Sequence, residues 1–271
     1  MSNLNKRVIS AIFILICLIA DYWFWGTKGV MVLGAFMCIL GTWEYSRIAF
    51  QNYAPNKTFR FWFLLNCIIL ILVSLYFTSQ AFIYWGIILA TYLSVALWLF
   101  RNKIENDIIL KLLSLSLLGF LYCALLPIPA LLLFQLPNGQ YWFLFLLSVV
   151  FFGDIFAYFG GRWFGNKKIM PLLSPNKTVA GAISGIIGSI IVGVLAGPWL
   201  GDIPILTMVI VCAFAAFLAQ NGDFFESLIK RVANVKDSGR FMPGHGGVLD
   251  RLDGIFFAAP LIYAFASHFS K

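Results

Sequence analysis

Long, almost uncharged apolar runs recur from one end of this chain to the other, and they leave little choice of architecture. A membrane-spanning helix takes about 20 mainly apolar residues. Runs of that character lie near Val8 to Trp25, Val30 to Trp43, Phe61 to Phe77, Ala81 to Phe100, Leu112 to Phe134, Tyr141 to Gly160, Val179 to Trp199, Ile203 to Gln220 and Leu252 to Phe269. Charged residues make up 11% of the chain, where a soluble domain uses about a quarter, so a water-facing coat is not available. The expectation is an all-α polytopic membrane protein with about nine transmembrane helices.

Short-loop Lys and Arg collect on the cytoplasmic side of a membrane. With the N-terminus cytoplasmic, the inner segments hold Lys6 and Arg7; Arg47, Lys57 and Arg60; Arg101, Lys103 and Lys111; Arg162, Lys167, Lys168 and Lys177; Lys230, Arg231, Lys236, Arg240 and Arg251. Only Lys28 and Lys271 fall elsewhere. An odd number of spans puts the C-terminus outside. The first run has basic residues before it, as a signal peptide does, but it lacks a small-x-small cleavage site and continues through Asp21 and Trp25, so an uncleaved span is expected. Ile16 before Cys17 is too bulky for lipoprotein-type cleavage.

The net charge of +8 is spread in clusters between apolar runs and not gathered on one folded face, which argues against nucleic acid as a partner. Cys17, Cys38, Cys67, Cys123 and Cys212 all lie inside apolar runs, at no metal-like spacing, and are read as packing residues. Residues 1–135, with the first five spans, are expected to be scaffold. Residues 136–271 carry the other four and the two longest cytoplasmic segments, Gly161 to Thr178 and Asn221 to Arg251. The seventh span has Gly181, Gly185, Ser189, Gly193 and Gly197 at every fourth position, a stripe that lets helix backbones approach closely, within one chain or between two copies in a homodimer.

The segment 222–253 contains ten charged residues and leads into the last span. If the eighth helix runs on past Gln220, Asp223, Ser227, Lys230 and Arg231 share one face. The glycine-rich loop from Gly239 to Gly247 follows, where backbone N–H groups can form a nest for phosphate. Asp250 and Asp253 then sit one turn apart at the start of the ninth helix. Asp223, Asp237, Asp250 and Asp253 either cap helices and pair with Lys and Arg, or serve as hard oxygen ligands for Mg²⁺ or another divalent cation beside the phosphate nest; the second reading is favoured. Asp154, Tyr158 and Arg162 share a face of the sixth helix, and an aspartate at that depth is a functional-site candidate. Ser174, Lys177 and Thr178, just before the seventh helix, make an anion cradle with fresh helix N–H groups.

Ser227, Lys230-Arg231, Lys236-Asp237, Gly239, Pro243, His245-Gly246-Gly247, Asp250-Arg251 and Asp253 stand at the signature spacing of the phosphatidate cytidylyltransferases, and the chain resembles that family. The likeness extends to Gly222-Asp223, Glu226, the Asp154, Ala157, Tyr158, Gly161, Arg162 and Gly165 pattern, Ser174-Pro175 with Lys177-Thr178, and more loosely Trp43-Glu44. It is specific in the C-terminal half and general in the N-terminal half. Met242 replaces a usual Leu, Ile or Phe, and Ala180 replaces a common Glu.

The resemblance implies that CTP and phosphatidic acid give CDP-diacylglycerol and pyrophosphate with a divalent cation, normally Mg²⁺. Asp223 and Asp250 are the first metal ligands to expect, then Asp253, with Asp237 in an outer role. Lys230, Arg231 and Arg251 would neutralise phosphates, with Lys236 and Arg162 beside the substrates. Ser174, Lys177, Thr178 and Ser227 would orient them. Asp154 would mark the cavity wall, and His245 either contacts substrate or hydrogen-bonds within its loop. Cytosolic CTP and membrane-borne phosphatidic acid fit a multi-pass enzyme of a bacterial inner membrane with its active site facing the cytoplasm. Two other readings compete. A CTP-dependent polyprenol-type lipid kinase would use similar contacts but transfer the γ-phosphoryl group. An ion-coupled transporter would use Asp21, Asp154 and Asp202, yet the ionisable residues gather at one surface and no inverted halves are evident.

Overall fold

The computed structural model describes residues 3–53, 57–101, 104–239 and 246–270, with side chains from residue 20 onward. His245 lies outside the described residues, as do Lys103, Arg240, Met242, Pro243 and Lys271 and the side chains of Lys6, Arg7 and Cys17. The helices are α1 (Asn3–Ala49), α2 (Lys57–Tyr76), α3 (Ala81–Phe100), α4 (Asn106–Gly119), α5 (Ile128–Leu132), α6 (Gly139–Phe164), α7 (Val179–Ala196), α8 (Ile205–Val232) and α9 (Leu249–Phe269). No strand occurs among the described residues.

Eight stretches among the described residues are long and apolar enough to cross a membrane, against about nine expected from hydropathy. The difference is at the start, where the first two apolar runs join in α1. Gly26, at φ 60° and ψ −148°, breaks that helix, a backbone state glycine enters at little cost because it has no Cβ. The span counted there is Ala20–Ala49, so most of the expected run from Val8 to Trp25 lies among residues whose side chains are not described.

The fifth run is interrupted too. After α4 the chain passes through a π-helical segment, Phe120–Leu125, before α5 and a 3-10 turn, Leu133–Gln135. Pro127 and Pro129 remove two backbone donors in succession, and the Leu126 amide bonds to the Leu121 carbonyl at 2.9 Å, the wider spacing of a π turn.

The chain forms two compact units. The first comprises Met1–Ile128 and Val232–Asp250; the second comprises Pro129–Arg231 and Arg251–Lys271. Much of the segment 222–253, grouped by sequence with the C-terminal half, thus belongs to the first unit.

The first unit is held by buried aromatics. Phe50 and Phe63 meet edge to face at 5.2 Å, and Tyr92 and Phe120 at 4.7 Å. Each buried tyrosine needs a partner for its hydroxyl: Tyr45 donates to the Leu115 carbonyl and Tyr92 to Ser116 Oγ, both at 2.7 Å. Cys38, Cys67 and Cys123 are buried here and Cys212 in the second unit, in keeping with a packing role.

The second unit is held by close backbone approach. Gly181, Gly185, Ser189 and Gly193 of α7 are buried, and α7 lies along α6. Ser189 donates to the Val149 carbonyl at 2.7 Å. A Cβ on Gly185 would lie 2.9 Å from the Gly153 carbonyl oxygen and 3.0 Å from Ala157 Cβ. The small-residue stripe is therefore used inside this chain, against α6. Around it, Trp142, Phe145, Cys212, Ala258, Ile262 and Phe265 form an apolar core.

Candidate active site

The eighth helix does continue past Gln220, to Val232, so Asp223, Ser227, Lys230 and Arg231 extend from one helix end. Gly222 is buried where α8 meets α9: any side chain there would collide with the Asp253 carbonyl. That contact sets Asp223, next in sequence, beside the first turns of α9.

Asp223 forms an ion pair with Lys177, whose ammonium lies 4.6 Å from the centre of the Phe224 ring. Asp253 is buried, and its Oδ1 accepts from the Gly254 amide at 2.8 Å. The charges of Asp154, Asp223 and Asp253 act on one another, and that of Lys177 acts on both Asp154 and Asp253. Arg251 also acts on Asp154. Within the second unit, the structure thus gathers Asp154, Asp223, Asp253, Lys177 and Arg251 from four expected segments into one electrostatic cluster.

The loop before α7 is folded and anchored. Val179 donates to the Lys167 carbonyl at 2.9 Å and Ile169 to the Lys177 carbonyl at 3.2 Å, forming an antiparallel bridge between Lys168 and Thr178. Thr178 is the N-cap of α7, its Oγ1 accepting from the Gly181 amide at 3.1 Å, which satisfies one of the open N–H groups of the first turn. Ser174 takes part through its backbone, the carbonyl accepting from the Lys177 amide at 3.3 Å. Arg231 Nε donates to the Leu173 carbonyl at 3.3 Å, tying the end of α8 to this loop. Arg162 donates to the Tyr158 hydroxyl at 3.4 Å on an exposed face. Lys230 pairs with buried Glu226 one turn earlier, and Ser227 is half-buried between them.

Asp250 is organised within the first unit. Its Oδ2 accepts from the Ser238 amide at 3.0 Å, the Ser238 hydroxyl at 2.9 Å and the Gly247 amide at 2.8 Å. Glu44, from α1, reaches the same place: its Oε2 accepts from the Ser238 hydroxyl and from the Leu249 amide, each at 2.9 Å. Gln51 Nε2 donates to the Ala233 carbonyl, a second link from the end of α1. Beside these contacts is a cavity of about 680 Å³ lined by Arg47, Gln51, Lys236, Asp237, Ser238 and Gly239, among others. Lys236 and Asp237, both exposed, sit on its rim.

Among the described residues, no three Asp, Glu, His or Cys side chains come together as a complete ion-binding set. Asp223 and Asp253 still fit a hard cation, because Mg²⁺ is commonly bound through one or two carboxylates, with water and substrate phosphates as the remaining ligands. Glu44 and Glu226 are the acids that the motif reading did not place in the site. The available signal was the same for both: an acid within or beside an apolar helical run is costly unless it has partners in the interior.

The eight long apolar helices among the described residues define the class, a multi-pass helical membrane protein. The sequence model of the cytidylyltransferase family matches residues 5–269, and the chain belongs to that family. It is 43% identical over 140 residues to a phosphatidate cytidylyltransferase of Brucella abortus, 50% of each chain. It is 42% identical over 126 residues to one from Staphylococcus saprophyticus, 46% of this chain and 48% of the other. With a third, from Synechocystis sp., it shares 40% identity over 131 residues, 48% of this chain and 44% of that one. The chain spans about half the length of the curated relatives it matches.

Proposed function

We propose that this chain transfers a cytidylyl group from CTP to phosphatidic acid, giving CDP-diacylglycerol and pyrophosphate. The observation that carries this reading is the cluster of Asp154, Asp223 and Asp253 with Lys177 and Arg251, in a member of the cytidylyltransferase family. Relatives called phosphatidate cytidylyltransferases support the choice of acceptor.

A phosphate monoester is already largely dianionic near neutral pH, so the acceptor needs no protein nucleophile. Its oxygen attacks the α-phosphorus of CTP; the new O–P bond forms as the bond to the β-phosphate oxygen breaks, and pyrophosphate leaves. The obstacle is repulsion between two polyanions that must meet in line. Lys177, Lys230, Arg231 and Arg251 answer it by neutralising phosphate oxygens, while Ser227 and the Ser174 to Thr178 loop orient them. Held by Asp223 and Asp253, a divalent cation would add charge neutralisation at the transferring phosphate. Asp250 is proposed as a further ligand in addition to its role in closing the loop. Arg162, Lys236 and His245 remain proposed substrate contacts.

Basic residues concentrated in alternate loops support a cytoplasmic N-terminus and a cytoplasmic site. CTP then arrives from the cytosol, and the acyl chains of the acceptor stay among the helices. The test is to incubate the purified protein in phosphatidic acid vesicles with Mg²⁺ and CTP labelled at the α or the γ position. Lipid carrying α-label supports the reading. Lipid carrying γ-label replaces it with a lipid kinase.

A further inference from the structure

Glu44 is a carboxylate in an apolar helix and is only 2% exposed. Burying such a group is costly unless hydrogen bonds replace its lost water, and among the described residues its hydrogen-bond donors, Ser238 and Leu249, come from the far end of the sequence. Oε2 accepts from the Ser238 hydroxyl and the Leu249 amide, each at 2.9 Å. These two residues flank the glycine loop: Ser238 enters it, and Leu249 opens α9. Gly239 and Gly247 close around the same carboxylate so tightly that a side chain on either would collide with it. The Ser238 hydroxyl lies 2.9 Å from Asp250 Oδ2 as well, and its single proton serves one carboxylate at a time. Glycines have many backbone conformations to lose on ordering, so a fixed buried acceptor shared by Ser238–Gly239 and Gly247–Leu249 holds those two described segments in one arrangement.

We propose that Glu44 is a positioning residue: from α1 it clamps the two ends of the glycine loop and so fixes Asp250 and the Ser238–Gly239 wall of the adjoining cavity for catalysis. The assignment to catalysis rests on the cytidylyl-transfer reading. The clamp itself rests on the hydrogen bonds.

The consequence is a separation between stability, loop order and rate. Displacing a catalytic element by about 1 Å costs on the order of 100-fold in rate. Glu44→Ala should therefore lower kcat by about 100-fold, with KM for CTP changed less than about threefold. Glu44→Gln keeps a carbonyl oxygen that, in the place of Oε2, can accept from both Leu249 and Ser238, and should recover about tenfold of that loss. Ser238→Ala, which leaves the Leu249 bond in place, should fall between them.

The decisive measurement is amide hydrogen exchange on the full-length protein in lipid nanodiscs. In Glu44→Ala, the amides from Lys236 to Gly239 and from Gly247 to Leu249 should exchange at least about tenfold faster, while α2 and α3 keep their protection. Unchanged exchange in those segments would overturn the clamp, as would equal loosening of the whole chain. Normal kcat with a loosened loop would overturn the positioning role. A wild-type chain that yields no α-labelled lipid overturns the proposed reaction and with it the catalytic role, while the exchange result still decides the clamp.

Discussion

The two units hold their polar groups in opposite ways. In the first, Glu44 and Asp250 are surrounded by donors at hydrogen-bonding distance, from Ser238, Gly247 and Leu249. In the second, carboxylates lie within reach of one another's charge and of a few cations: Asp223 pairs with Lys177, and its charge acts on Asp154 and Asp253. A hydrogen-bonded carboxylate fixes geometry, whereas a cluster of like charges is improved by whatever neutralises it. The first arrangement suits a frame and the second suits chemistry on phosphates.

That contrast is broken most directly at Asp223. Asp223→Asn keeps the shape of the side chain and removes its charge. We expect transfer of α-label from CTP to lipid to fall by about 100- to 1000-fold, the scale of losing one electrostatic stabiliser of a transition state, with an unchanged thermal midpoint. Full activity with ordinary Mg²⁺ dependence would show that the second unit's charges are structural after all.

The packing side of the comparison is sharpened at Gly193. Its missing side chain leaves room for Cys212 Sγ, and a Cβ there would also lie 3.4 Å from Phe145 Cε2. Gly193→Ala should destabilise the protein by about 1–3 kcal/mol, the usual cost of overpacking. Adding Cys212→Ala should recover about half of it, because the two sites share one space. Thermal unfolding in detergent measures both. Cys212→Ala alone should leave turnover intact, and a folded but inactive variant would give that thiol a role in the chemistry.

Much of this was legible before the structure, for reasons that can be traced to particular residues. The bounds of α3 coincide with the run from Ala81 to Phe100, and α7 starts at Val179 as read, because polar residues end those runs abruptly. The charged face of α8 followed from helical spacing alone. Hydropathy did not separate a break from a kink at Gly26, since both begin with the same residue, and it did not foresee the π turn that Pro127 and Pro129 accompany. The pairing of Lys230 with Glu226 is a four-residue relation that the phosphate reading passed over. Glu44 was visible as an acid in an apolar run, but its partners Ser238 and Leu249 lie in the last part of the chain, and only the fold joins them.

The smallest expected effect concerns Thr178, where the two kinds of role meet in one side chain. Its hydroxyl caps α7 by accepting from Gly181, and hydroxyl and methyl together fill the space that a side chain on Gly165 would otherwise enter. Thr178→Ala should cost about 1 kcal/mol of stability, the typical loss of an N-cap, and Thr178→Ser should restore most of it by returning the oxygen. If the cap is the whole role, kcat/KM in the folded fraction of both variants stays near wild type. A raised KM for CTP in Thr178→Ala, with Thr178→Ser normal, would instead mean that the hydroxyl alternates between the Gly181 amide and a substrate phosphate. The chemistry of the second unit would then extend onto the helix end that its packing holds in place.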